Sequence, residues 1–182
     1  MSQYLATIQW RRGDDVFTDN RYSRRHEIAF DGGALWVGSS SPSVVPLPMS
    51  DATAVDPEES FVASLSSCHM LWFLDIARRG GWIVNSYRDA ACGVMARNAQ
   101  GRLAMSLVTL NPAVEFGGDK QPDAAALAQL HHQAHADCFI ANSVKTEVRC
   151  VPIILETAVG RARVGCEAAR WQGATTTRDR SR

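Results

Sequence analysis

The stretch Asp56-Pro57-Glu58-Glu59-Ser60-Phe61-Val62-Ala63-Ser64-Leu65-Ser66-Ser67-Cys68-His69 opens on the residues that begin a helix. Asp56 can accept from the first unpaired N–H groups, Pro57 suits the first helical position, and Glu59 is placed to close a capping box with Asp56. The run continues through Met70, Leu71, Trp72, Phe73, Leu74 and Ile76 to Arg78-Arg79, whose charges suit the negative end of the helix, and Gly80-Gly81 stops it. Apolar side chains lie on nearly every face. That pattern predicts a helix buried all round, at the centre of a domain or of a dimer interface, with Cys68 in its middle.

Working outward, Tyr4–Arg11, His26–Phe30 and Leu35–Val37 read as short strands, with Gly32-Gly33 turning the chain between the last two. The Pro-punctuated loop from Ser39 to Asp51 is of a length that usually serves function. Downstream, Tyr87–Arg97 and Leu103–Val114 flank Asn98-Ala99-Gln100-Gly101 and predict a β-hairpin. A second helix is expected from Pro122 to about Cys138, with Leu127, Leu130, Ala134 and Cys138 on one stripe. A turn at Asn142–Val144 then leads into a last strand, Lys145–Leu155. Beyond Glu156 no period persists, and the segment to Arg182 reads as a mobile tail.

The 182 residues suit one domain, and 46% apolar with 21% charged residues is an ordinary globular composition. Nineteen basic side chains balance nineteen acidic ones, so no electrostatic footprint for nucleic acid or an anionic membrane follows. Met1–Trp10 lacks the features of a secretory signal, and the apolar run Phe61–Leu74 is short of the roughly 20 residues that span a bilayer. The expectation is a cytoplasmic protein without nucleic-acid or membrane partners.

Cys68, Cys92, Cys138, Cys150 and Cys166 are widely spaced and contain no C-x-x-C. In a reducing compartment such cysteines are core residues or redox-active ones. Cys92 and Cys150 fall in expected strands and read as packing residues; Cys166 falls in the tail. Cys138 closes a helix, where another sulfur can approach it. A buried Cys68 needs a neighbouring cation to act as a thiolate, and Arg21, Arg24, Arg25 and His26 form a dense upstream set. Glu59 is occupied by the capping box. That leaves Glu58 either to complement the helix dipole or to fix an arginine as a bidentate pair. His131 and His135 have the i,i+4 spacing of two metal ligands, with His69 or Asp137 as distant candidates for a third. The plainer alternative is a set of solvated histidines on an alanine-rich helix.

The run from Asp56 to His69 resembles the signature helix of the OsmC/Ohr family, the osmotically inducible and organic-hydroperoxide-resistance proteins. In that family an N-P-E-E/Q stretch leads to a cysteine ten residues after the first Glu, as Glu58 leads to Cys68 here. Cys138-Phe139-Ile140-Ala141-Asn142-Ser143-Val144-Lys145 resembles the family's second element, a cysteine closing a helix before a V-S-x-V-L-K segment. The resemblance covers about residues 4 to 155. Asp56 replaces the usual Asn, and His69 and Trp72 follow the cysteine.

The resemblance implies an α+β fold with antiparallel sheets packed around two central helices, in an intertwined homodimer whose active sites are assembled at the interface. Residues 1–156 would form this domain and 157–182 the tail. It further implies a thiol-dependent peroxidase acting on organic hydroperoxides, and less efficiently on hydrogen peroxide. Cys68 would attack the peroxide and Cys138 would resolve the sulfenic acid as a disulfide. Arg24, with Arg21 and Arg25 as alternatives, would be held by Glu58 beside the thiolate. A dithiol of the lipoyl type would restore the thiols, with no bound cofactor and no metal. The competing expectation is a non-catalytic relative that binds a small hydrophobic ligand or senses redox state.

Overall fold

The computed structural model describes residues 1–154. Three strands come first: β1 (Ala6–Gln9), β2 (His26–Phe30) and β3 (Leu35–Gly38), forming one antiparallel sheet in that order. Gly33, at φ 86°, makes the turn between β2 and β3. Gly38 faces His26 across the pair, where an added Cβ would come within 2.3 Å of the imidazole Nε2.

Helix α1 (Pro57–Arg79) has the expected start. Asp56 Oδ1 accepts from the Glu59 N–H at 2.7 Å, and Glu59 Oε2 accepts from the Asp56 N–H at 3.1 Å. The expectation of burial on every face does not hold within one chain. Leu65, His69, Phe73, Ile76 and Ala77 are buried along one stripe, while Leu71 is 61% exposed. The helix runs to Arg79 as expected, and its 23 residues are long and apolar enough to cross a membrane by length and composition. The packed stripe is that of a core helix.

The expected long hairpin is two shorter ribbons. β4 (Ile83–Asp89) pairs antiparallel with β7 (Pro112–Gly117), and β5 (Cys92–Arg97) pairs antiparallel with β6 (Leu103–Leu110). Both long strands break at the same level. The Asn111 N–H donates to Asp89 Oδ1 at 2.6 Å, and Asn111 Nδ2 donates to the Ala90 carbonyl at 3.0 Å. These side chains replace ladder bonds at the corner, a competition that favours Asn and Asp over continuous strand.

Helix α2 runs Ala124–Asp137, with Asp123 as its N-cap and Cys138 as its C-cap, so Pro122 and Cys138 stand just outside it. A 3-10 turn (Ala141–Ser143) leads to β8 (Glu147–Cys150), much shorter than the expected strand. β8 pairs with β6 in parallel, a departure from the all-antiparallel expectation. Pro152, which has no N–H, follows closely, although Ile153 still bonds to Pro112 at 2.8 Å. The tail, Leu155 and Cys166 lie outside the described residues.

Two apolar cores sit on α1. Phe73, Ile76 and Ala77 pack with Leu130 and Ala134 of α2, and Leu65 packs with Val108 and Leu110 of β6. The result is an α+β fold in which α1 lies against β4, β5 and β6 and α2 packs on α1. The sheet β1–β3 contributes nothing to either core. Ile8, Leu35 and Trp36 there are exposed.

Candidate functional site

The middle of α1 and the C-terminus of α2 bring Cys68 beside Cys138, near enough for the one thiol to raise the other. Both are free thiols; Cys68 is half-buried and Cys138 is buried. The turn after α2 holds Cys138 in place. The Ala141 N–H points at its Sγ at 3.4 Å, while its carbonyl accepts from the backbone and side-chain nitrogens of Asn142, both at 3.0 Å. One helical turn from Cys68, Trp72 meets Phe139 edge-on, with ring centroids 5.3 Å apart. Burial, and then the neighbouring Cys68, push the Cys138 thiol up to about 11. It therefore keeps its proton at neutral pH.

Within one chain the expected arginine is elsewhere. The Arg24 guanidinium donates to the carbonyls of Asn20 and Tyr22 and to Asn20 Oδ1, and lies over the Tyr22 ring at 3.8 Å. Arg25 is ion-paired with Asp51, and the exposed Arg21 lies on the same approach to β2. Glu58 is in the first turn of α1. A helix rises about 1.5 Å per residue, so Glu58 and Cys68 stand about 15 Å apart along the axis. Side chains also tilt toward the helix N-terminus, which carries the Glu58 carboxylate further away. One guanidinium cannot bridge Glu58 and Cys68 of the same chain.

Beside α1 lies a cleft of about 660 Å³, bordered by Glu58, Ser66, Met70, Tyr87 and Asp89 among others. Asp89 was not foreseen from sequence. Its carboxylate accepts from Ser66 Oγ at 2.6 Å and from the Asn111 N–H, tying the helix to the sheet corner. Burial, followed by the charge of Asp89, raises the Tyr87 hydroxyl well above the ordinary phenol range.

A second cluster begins at His69, the residue after Cys68. His69 of α1 and His131 of α2 are buried, with His69 Nε2 and His131 Nδ1 3.1 Å apart. Cys150 Sγ, at the end of β8, is 3.7 Å from His69 Nε2. Burial holds both imidazoles down to about 4, so they are neutral at pH 7; burial and then Asp89 push the Cys150 thiol up to about 12. The expectation of solvated histidines fails for His131, although His132 is exposed. Cys150 packs against the core of Leu65, Val108 and Leu110, as expected, and also meets His69. Cys92, at the head of β5, is not one of the free thiols.

The fold and this contact pair define a small α+β protein with a dithiol between two central helices. The chain belongs to the OsmC-like protein family, whose profile matches residues 50–151. An OsmC-like protein of unknown function from Vibrio cholerae is 49% identical, with a TM-score of 0.83 over 84% of this chain and 100% of that one. An organic hydroperoxide resistance protein from Elizabethkingia anophelis shares the fold at 15% identity and a TM-score of 0.63, covering 84% of this chain and 96% of that one. The organic hydroperoxide resistance protein OhrB of Bacillus subtilis does so at 15% identity and 0.60, covering 84% and 98%. Among curated proteins none matches the chain.

Proposed function

We propose that the protein is a thiol-dependent peroxidase that reduces organic hydroperoxides, with Cys68 as the attacking thiolate and Cys138 as the resolving thiol. The observation that carries this reading is the apposition of Cys68 and Cys138, whose segments are joined by the Trp72–Phe139 ring pair. Burial keeps the protons on Cys138 and Cys150 at neutral pH, which suits neither to be the attacking thiolate.

The thiolate takes the terminal peroxide oxygen, the O–O bond breaks, and the alkoxide leaves as an alcohol after taking up a proton. Cys68 is then a sulfenic acid, oxidised by two electrons. The Cys138 sulfur displaces its hydroxyl as water, forming the Cys68–Cys138 disulfide. A small dithiol returns two electrons by exchange and leaves as its own cyclic disulfide. The Trp72–Phe139 pair beside the thiols supplies an apolar contact for an alkyl chain.

The working unit in this reading is a homodimer. Glu58 of one copy would approach Cys68 of the other, with Arg24, Arg21 or Arg25 between them. The open faces of α1 and of the β1–β3 sheet supply apolar surface for such an interface.

The test is turnover of cumene hydroperoxide with dihydrolipoamide by the wild type and by Cys68→Ser. Loss of turnover by at least a hundredfold in the variant is expected. Equal turnover ends the proposal. A Cys68 sulfenylation rate no faster than that of a free thiol would point instead to ligand binding.

A further inference from the structure

We propose that His69 Nε2, His131 Nδ1 and Cys150 Sγ form a binding site for a borderline-soft divalent cation of the zinc type. The three come from α1, α2 and β8, and their donor atoms all lie within 4.8 Å of one another. Tetrahedral zinc, with bonds of about 2.0–2.1 Å to nitrogen and about 2.3 Å to sulfur, sets its ligands about 3.3–3.7 Å apart. Two sides of that triangle, 3.1 Å between nitrogens and 3.7 Å from sulfur to His69, match to within a few tenths of an ångström, and the third is no longer than 4.8 Å. One imidazole pair with one thiolate is a donor set that suits zinc and disfavours magnesium or calcium.

A hydrogen-bonded histidine pair alone does not account for the arrangement. The two ring planes are 9° from parallel and meet through a single N–H···N bond. Whichever ring donates, His131 Nε2 stays buried without a partner. An orphaned buried polar atom costs about 1–3 kcal/mol. If Nδ1 of His131 binds the cation, Nε2 carries the ring proton, the position that in most metal-bound histidines bonds to an outer acceptor. His131 borders a hollow of about 280 Å³, shared with His132, His135 and Cys150, which has room for a water there.

On binding, the His–His hydrogen bond is exchanged for two coordinate bonds. His69 moves its proton to Nδ1, both rings tilt so that their lone pairs converge, and Cys150 releases its thiol proton to solvent. A water from the hollow completes the tetrahedron. Cys68 and Cys138 take no part. The site sits next to the dithiol, because His69 follows Cys68 on α1, and it fixes the two helices against β8.

The experiment is a cobalt(II) titration of the full chain, without a His-tag and stripped by chelator, read by absorption. One equivalent per chain, strong tetrahedral visible bands and a thiolate-to-cobalt charge-transfer band are expected, all displaced by zinc. Cys150→Ser should lose the charge-transfer band, while Cys68→Ser/Cys138→Ser should keep it despite having no peroxidase activity. A wild type without a thiolate band overturns the site, as does a band that survives Cys150→Ser. X-ray absorption of the zinc-loaded wild type decides independently of any variant's folding. One sulfur with at least two imidazoles supports the site, and a shell of nitrogen and oxygen alone refutes it.

Discussion

Trp72 and Phe139 meet at 87° with ring centroids 5.3 Å apart, one on the turn of α1 that follows Cys68 and the other directly after Cys138. The two side chains clamp the segments that carry the thiols. An edge-to-face pair contributes about 1 kcal/mol beyond its area burial. Phe139→Ala should therefore slow the conversion of Cys68 sulfenate to disulfide about fivefold and leave sulfenate formation by hydrogen peroxide, which has no alkyl chain to bind, unchanged. Quenched-flow mass spectrometry separates the two steps. Equal slowing of both would mean that the aromatic pair serves substrate access instead of thiol apposition.

The axial separation of Glu58 from Cys68 makes a different kind of prediction. If a site combines Glu58 of one copy with Cys68 of the other, then Glu58→Ala and Cys68→Ser complement each other. Random reassortment of two inactive homodimers gives half heterodimers with one intact site each, so about a quarter of wild-type turnover should return. Turnover that stays at the level of the separate variants would place both residues in one chain's site and contradict the assembly.

The local chemistry of α1 was legible because Asp56, Pro57 and Glu59 state a helix start without reference to any other part of the chain. The strand β2 was equally plain. The corner at Asp89–Cys92 and Leu110–Pro112 was not, since the break depends on an Asn111–Asp89 bond between residues 22 apart in sequence. Cys68 and Cys138 were legible as a pair only through family resemblance; periodicity put them on separate stripes. His69, His131 and Cys150 were harder still. They are 62 and 81 residues apart by their bonded pairs, and only the packing of three elements brings their donor atoms together.

The neighbours Glu58 and Glu59 should separate stability from activity. Removing the capping box by Asp56→Ala or Glu59→Ala costs about 1 kcal/mol, seen as a lower urea midpoint. Glu58→Gln keeps the side-chain length and makes no cap bond, so its midpoint should stay within about 0.5 kcal/mol of wild type while turnover falls. A Glu58→Gln protein with full turnover would return Glu58 to a dipole-complementing role.

Chelator-treated protein should lose stability as pH falls from about 6.5 toward 4. Burial holds His69 and His131 at about 4, below the ordinary value of 6.5. In that window the unfolded imidazoles bind protons and the folded ones do not, so the unfolded state gains. Each proton contributes a slope of about 1.4 kcal/mol per pH unit, with up to two protons involved. The contribution is fully present above pH 6.5. Urea midpoints between pH 6.5 and 5 measure it, above the range where carboxylates dominate. His131→Phe, which keeps a ring against Phe73, should reduce the slope by about one proton. If the slope is unchanged, the buried imidazoles are not the groups that couple protons to folding.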